Sequence, residues 1–451
     1  MKKFIGDKNF YKLVLAVAVP LMLQQLITSG VNLIDNLMVG QLGDSALSAV
    51  AASNKVFLIA NFAIMGFMMA VAIYIAQYYG ANDHEKMQHS YLFGLFFSIF
   101  ISLLFMTCGF LFPREIISFF TKNEEIINLG VEYLRFANLT LLPFAISVVI
   151  GNSMRAIGAV KYPLIASVVA ALTNTVLNYI FIFGNFGFAK MGVNGAALAT
   201  LIARCCEMLL LIYFLLRNRF PFYSRLANIV KTEVSLIKNI LIKGFPLMVN
   251  ELLWTSGNAF LFMLYATRGD SVISGYSIAA TTVDLFFVLF GGMSAATTVM
   301  ISHRLGANKI KEAKENGYRL IGFSLFLSIF FGVLLFGSSY IVPNLFNVTE
   351  VSRGVASGVL RVMGCFFWIY MFTAECFFIL RAGGDTKSTL LMDAAYMWVV
   401  NIPIVAFVAY FTNWSIMVLY ICGQCTDVLK MFIAYGMIKK GRWLKNLTSE
   451  E

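Results

Sequence analysis

Four carboxylates, Asp35, Glu251, Asp284 and Glu375, fall inside long apolar stretches with no basic residue three or four positions away. An ionised carboxylate at the centre of an isolated membrane helix costs about 2.5 to 3.5 kcal/mol on insertion scales, so each of these needs a use or a partner. The chemistry open to such groups is reversible uptake of a proton, a metal cation or an organic cation. They are the candidate cation-coupling residues. Glu251 follows Pro246 by five residues, where a proline frees helix carbonyls that can join a carboxylate around an ion, so a Na+ ion is a candidate there. Asp284 has Lys55 or Arg361 as alternative partners, Asp35 has Lys55 or nearby hydroxyls, and Glu375 has the Arg381 end of its own stretch.

Three other acids have a plainer reading. Glu132 with Arg135, Glu207 with Arg204, and Asp427 with Lys430 are three residues apart and can neutralise one another on one helix face. Asn174 and Asn178 lie four apart on one face and can bond a cargo, position a water for Asp35, or simply join helices. With Asn32, Asp35 and Asn258 they form the candidate cargo-binding set. The three histidines, His84, His89 and His303, show no metal-ligand spacing, and Cys422-Gly-Gln-Cys425 lies in an apolar run where packing is the expected role. All seven cysteines have apolar surroundings, which argues against a disulfide framework.

The elements that must hold these residues follow from hydropathy. The 451 residues are 59% hydrophobic and 13% charged, with a mean hydropathy of +0.79, whereas soluble domains carry about 25% charge. Twelve runs are long enough to cross a bilayer as helices, over 13–39, 47–78, 91–112, 131–154, 162–184, 192–216, 240–266, 273–303, 317–341, 355–380, 389–411 and 415–438. Barrel strands would be about ten residues long with alternating polarity. The fold class is therefore all-α, a polytopic membrane protein.

A net charge of +11 would suggest nucleic acid in a soluble protein. Here 24 of the 34 Lys and Arg residues fall on one set of loops and seven on the other, while Lys55, Arg204 and Lys430 lie within spans. The positive-inside rule puts both termini in the cytoplasm. Topology explains the charge, and no nucleic-acid partner is implied.

One offset joins the two halves. Ile75-Ala-Gln-Tyr-Tyr-Gly-Ala-Asn82 matches Ile301-Ser-His-Arg-Leu-Gly-Ala-Asn308, 226 residues on. Without gaps the same offset aligns Pro20-Leu-Met22 with Pro246-Leu-Met248, Gly43-Asp-Ser45 with Gly269-Asp-Ser271, Leu134-Arg135 with Leu360-Arg361, and Arg155, Gly158 and Lys161 with Arg381, Gly384 and Lys387. Six spans per copy return the chain in the same orientation, so the repeats are parallel and related by a pseudo-two-fold along the membrane normal. The expected organisation is a six-helix bundle over 1–216, a basic cytoplasmic linker over 217–238 and a second bundle over 239–451.

These residues resemble the multidrug and toxic compound extrusion (MATE) transporters over nearly the whole chain. The carriers are Pro20, the run Asn32-Leu-Ile-Asp35 to Gly43, Gly80-Ala-Asn82 with Gly306-Ala-Asn308, and Arg155-Ala-Ile-Gly158 with Arg381-Ala-Gly-Gly384-Asp385-Thr386. The resemblance implies export of amphipathic, usually cationic organic compounds against inward H+ or Na+. The chain departs from two patterns within that family. Asn178 stands where one branch has an aspartate before Phe-Gly, and Tyr370 stands eleven residues before Arg381 where another has an aspartate. The coupling ion is left open between H+ and Na+.

The expected function is secondary antiport by alternating access from a monomer in the plasma (inner) membrane, with small organic cations and membrane lipid as partners and no cofactor. A lipid-linked oligosaccharide flippase of the same superfamily is the alternative, but it calls for unpaired intramembrane cations, and the unpaired groups here are acidic. A lipid-modifying enzyme lacks a metal or nucleophile constellation, and no GxxxxGK[ST] loop supports a primary pump.

Overall fold

A computed structural model describes residues 2–346 and 348–449. Among these the chain is helical, with no strand. Eleven helical stretches are long and apolar enough to cross a membrane. Spans one to six are Lys8–Gly40, Ser45–Ala81, His84–Leu111, Glu124–Ala156, Lys161–Phe183 and Val193–Asn218; spans eight to twelve are Asp270–Gly306, Ile310–Ser338, Glu350–Ala382, Thr386–Phe411 and Ile416–Lys440. Span seven is the helix Val234–Ala266, which completes the twelve. Asn250, Glu251, Ser256 and Asn258 dilute its hydropathy, so it falls outside the apolar criterion although it is a 33-residue helix.

The repeated motifs end helices. Asn82 and Asn308 both adopt left-handed backbone, φ 57° and 58°, and stop the span before them; asparagine tolerates that region better than other residues with a Cβ. Gly158 and Gly384 do the same with φ 83° and 77°, where a Cβ would be strained. The Asp83 side chain then caps the next helix by accepting from Lys86 N at 3.0 Å, and Asp385 caps span eleven by accepting from Ser388 N at 3.3 Å. These signals build turns and leave the chemistry to other residues.

Span nine shows how the helices sort their faces. Phe326, Ile329, Phe330 and Val333 are 58 to 69% exposed and follow the i, i+3, i+4, i+7 spacing of one helix stripe. Ser324, Ser328 and Gly332 are buried on the other side. The large apolar face is turned outward, as lipid requires, and small residues allow close helix approach. A Cβ on Gly332 would lie 2.9 Å from the Gly364 carbonyl oxygen of span ten.

Two compact units result. One is Leu23–Gly244; the other joins the residues up to Met22 with those from Phe245 onward. The start of span one thus packs with the second unit, Tyr11 lying 5.1 Å from Phe323 between ring centroids. Pro20 and Pro246 sit inside spans one and seven close to where the chain changes unit. A proline cannot donate into its helix and weakens it there.

Candidate functional site

In the unit Leu23–Gly244, spans one, five and six bring Asp35, Asn174, Asn178 and Thr200 together. Asn178 Nδ2 donates to Asp35 Oδ1 at 2.6 Å. Asn174 has the amide orientation that satisfies its neighbours when its nitrogen faces the acid: it then donates to both Asp35 oxygens, at 2.8 and 2.9 Å, and its oxygen lies 3.3 Å from Thr200 Oγ1. The (i, i+4) asparagines therefore grip the carboxylate itself, where the sequence has them bond a cargo, position a water for Asp35 or join helices. Lys55 makes no ion pair with Asp35 among the described residues. Asp35 and Asn32 line a cavity of about 420 Å3 with Asn54, Tyr133, Asn178 and Arg204, in which Asp35 is the only acid among the described lining residues.

Arg204 is already committed. Its Nη1 lies 2.9 Å from Glu207 Oε2, as the spacing predicts. Glu207 Oε1 accepts from Ser167 Oγ at 2.8 Å, and that oxygen in turn accepts from Gln24 Nε2 at 2.6 Å. A partly buried chain of partners thus crosses spans one, five and six. The carboxylate of Asp35 is held by neutral amides and makes no ion pair among the described residues.

The second unit carries the equivalent node with the acid moved. Adding 226 to Gln24, Ser167 and Arg204 gives Asn250, Asp393 and Lys430. Asn250 Nδ2 donates to Asp393 Oδ2 at 3.1 Å, and Lys430 Nζ lies 2.8 Å from Asp393 Oδ1. This corrects the expected pairing of Lys430 with Asp427: the carboxylate across the helix interface is the one within bonding reach, and Asp427 makes no ion pair among the described residues. Glu132 and Arg135 are not an ion pair among the described residues either, and Glu132 accepts from Asn194 at 3.4 Å. Asn250 Oδ1 also accepts from Ala394 N at 3.2 Å, and span eleven widens into π turns over Leu391–Ala395 and Met397–Asn401. An outside acceptor that takes a helix N–H favours such widening.

Asp393 is a buried-interface acid that sequence reasoning missed as a candidate. It too has no basic residue three or four positions away, and its repeat partner is the serine that bridges to Glu207. Applying the offset to buried polar residues as well as to motifs would have found it.

The other candidates are spread through the second unit. Glu251 is half-buried, with Arg381 and Asp393 as its charged neighbours. Among the described residues no group of three or more His, Cys, Asp or Glu could hold a metal, so a Na+ ion at Glu251 would rely on carbonyl and amide oxygens. Glu375 is fully buried, accepts from Thr297 Oγ1 at 2.5 Å, and its Oε2 has no partner. Asp284 and Asn258 line a second cavity, of about 330 Å3, with Tyr265, Tyr276, Tyr420, Asp427 and Lys430. Asn258 Nδ2 is spent on its own helix, donating to the Trp254 carbonyl at 2.8 Å.

Comparison with known proteins gives these features a frame. The MatE family model matches residues 20–180 and again 246–407. The two matches begin 226 residues apart, the offset of the internal repeat. The chain belongs to the MatE family. It is therefore a multi-pass membrane transporter of the multidrug efflux type. The chain is 25% identical over 412 residues to a probable multidrug resistance protein NorM of Pseudomonas aeruginosa, covering 90% of this chain and 84% of that one. It is 22% identical to a NorM of Bacillus thuringiensis over 88% of each. Among solved structures it resembles a mutant of the Vibrio cholerae MATE transporter VcmN, with a TM-score of 0.89 at 17% identity and 98% of each chain covered. A MOP superfamily transporter from Pyrococcus furiosus gives 0.86 at 20% identity with the same coverage. At such identities the structures establish the twelve-helix MatE fold.

Proposed function

We propose that this MatE protein is a secondary antiporter that exports organic, amphipathic cations in exchange for H+ or Na+, with Asp35 as the point of exchange. The observation that carries the reading is the Asp35 carboxylate held by the neutral amides of Asn174 and Asn178 at the edge of a cavity. A proton, a Na+ ion and an organic cation would compete for that one charge. Competition becomes transport when the two access states differ in affinity for the competitors. In this reading the protein sits as a monomer in the plasma (inner) membrane with both termini cytoplasmic, and bundles 1–216 and 239–451 alternate access about the linker 217–238.

A flippase for anionic lipid-linked sugars is less well supported. Arg204 and Lys430, the cations lining the two cavities, are both tied to carboxylates, Glu207 and Asp393. They are not free to hold a pyrophosphate.

Reconstituted protein with a pH gradient and a Na+ gradient imposed separately tests the proposal. Asp35→Asn keeps the size of the side chain and one acceptor oxygen for the asparagine amides, and removes the charge. The expected result is loss of efflux under both gradients with unchanged expression and melting temperature. Wild-type efflux from that variant would reduce Asp35 to a packing residue.

A further inference from the structure

Around Asp35 there is more acid than cation. Besides the cavity of about 420 Å3, Asp35 lines a smaller one of about 110 Å3 with Asn32, Ser167, Asn174, Arg204 and Glu207. That is room for roughly three or four waters. Two carboxylates and one guanidinium share this space, and Arg204 is the only basic residue on the described walls of either cavity. The count is one cation short. With Arg204 at 2.9 Å from Glu207, Asp35 has none.

Both acids keep their places without the arginine. Asn174 and Asn178 hold Asp35, and Glu207 Oε1 accepts from Ser167 Oγ at 2.8 Å, a hydroxyl that Gln24 Nε2 fixes at 2.6 Å. Neither carboxylate loses its last partner when the cation changes hands. Arg204 has the room to move, its side chain being 39% exposed against 11% for Glu207. Its guanidinium lies over the Phe144 ring at 5.2 Å, and Phe144 is a wall of the larger cavity, so the group already borders the space onto which Asp35 opens. The second repeat keeps the same count at the equivalent position: Lys430 lies 2.8 Å from Asp393 and has Asp427 as a further acidic neighbour.

We propose that Arg204 is a tethered competitor at the cargo site, which moves from Glu207 to Asp35 as cargo leaves and returns to Glu207 when a monovalent organic cation, Na+ or a proton takes Asp35. The inference rests on Asp35 as the point of exchange. Arg204 has an acid in both positions, so at no stage is a buried cation left unpaired, which would be costly. The arrangement seen, with Arg204 on Glu207, is the cargo-competent one. Apparent affinity for cargo then scales with the fraction of molecules in that arrangement.

The test is calorimetric titration of the full-length protein in lipid nanodiscs at fixed pH, with benzyltrimethylammonium, a monovalent cation without N–H donors, as the probe. The quantity read is the binding that Asp35→Asn removes. Glu207→Gln takes away the acid that holds Arg204, so Arg204 turns to Asp35 and affinity should fall by about tenfold, as for a competent fraction of about one-tenth. Adding Arg204→Met removes the competitor, and affinity should return to within about threefold of the wild-type value. A pair that merely joins helices gives another order, with the double variant binding no better than Glu207→Gln. Glu207→Asp keeps the charge on a shorter side chain and should show a smaller loss, again relieved by Arg204→Met; it decides if melting curves show Glu207→Gln to be unfolded. Full affinity in folded Glu207→Gln protein, or no recovery in the double variant, overturns the role of Arg204 while leaving that of Asp35 intact. Wild-type binding by Asp35→Asn protein overturns both.

Discussion

Lys430 Nζ sits 2.8 Å from Asp393 Oδ1 in the second unit, on the positions that Arg204 and Ser167 hold in the first. Both repeats thus keep a cation on their last span. Its acid lies one turn along that helix in the first repeat, as Glu207, and on the preceding span in the second. Ion pairs so buried are expensive to break from one side, because the survivor is an uncompensated charge. Lys430→Met should therefore destabilise the purified protein by about 3 to 5 kcal/mol, read as a lowered melting temperature. Adding Asp393→Asn should recover most of the loss. A double variant no more stable than Lys430→Met would refute the pairing.

The sequence made the helices, the repeat and the (i, i+3) pair Arg204–Glu207 legible, because each is written in local spacing or in one diagonal. Asp35 with Asn178 was half legible. The residue types and helical faces were visible, but their 2.6 Å contact crosses from span one to span five and depends on helix packing. Lys430 was misassigned for the same reason: local spacing pointed to Asp427, and the partner came from a neighbouring span. The tyrosines of the second cavity, Tyr265, Tyr276 and Tyr420, come from three spans and have no spacing signal at all.

The tail after span twelve bears on the turn that follows span ten. A Cβ on Gly383 would collide with the carbonyl oxygen of Trp443, a backbone atom with little freedom to move, and Trp443 itself is 1% exposed. Gly383→Ala should cost about 1 to 3 kcal/mol, as overpacking does. Gly436→Ala, in span twelve, meets nothing within 4 Å and should be neutral or stabilising by up to about 1 kcal/mol. Melting curves of the two variants make the comparison. Equal behaviour would mean that the tail does not hold this turn.

Glu375 and Thr297 occupy the places of Val149 and Val71 in the first repeat, so an apolar pair is compatible with this part of the scaffold. Thr297→Val removes the donor at 2.5 Å and leaves both oxygens of a fully buried carboxyl without partners. The expected cost is about 1 to 3 kcal/mol. Replacing the acid as well, with Glu375→Leu, removes the unsatisfied group and should restore stability relative to the single variant. A double variant that melts below Thr297→Val would show that the carboxyl stabilises the fold by some other contact.

Glu251 offers a cleaner separation of stability from coupling, because the first repeat has Gln25 at the equivalent position. A neutral amide is therefore tolerated by this local scaffold, and Glu251→Gln copies what the chain already contains. Its charged neighbours are Arg381 and Asp393. Arg381 also donates to Ser294 Oγ at 2.5 Å, a contact that Glu251→Gln leaves in place. Melting temperature should change little. Gradient-driven transport should suffer far more, since glutamine can hydrogen-bond but can neither take up a proton nor lend charge to a Na+ ion. The expected phenotype is a folded protein that still binds an organic cation yet fails to drive uphill efflux under either a pH or a Na+ gradient. Wild-type efflux rates from Glu251→Gln would remove this residue from coupling and leave the role to Asp35, Asp284 or Glu375.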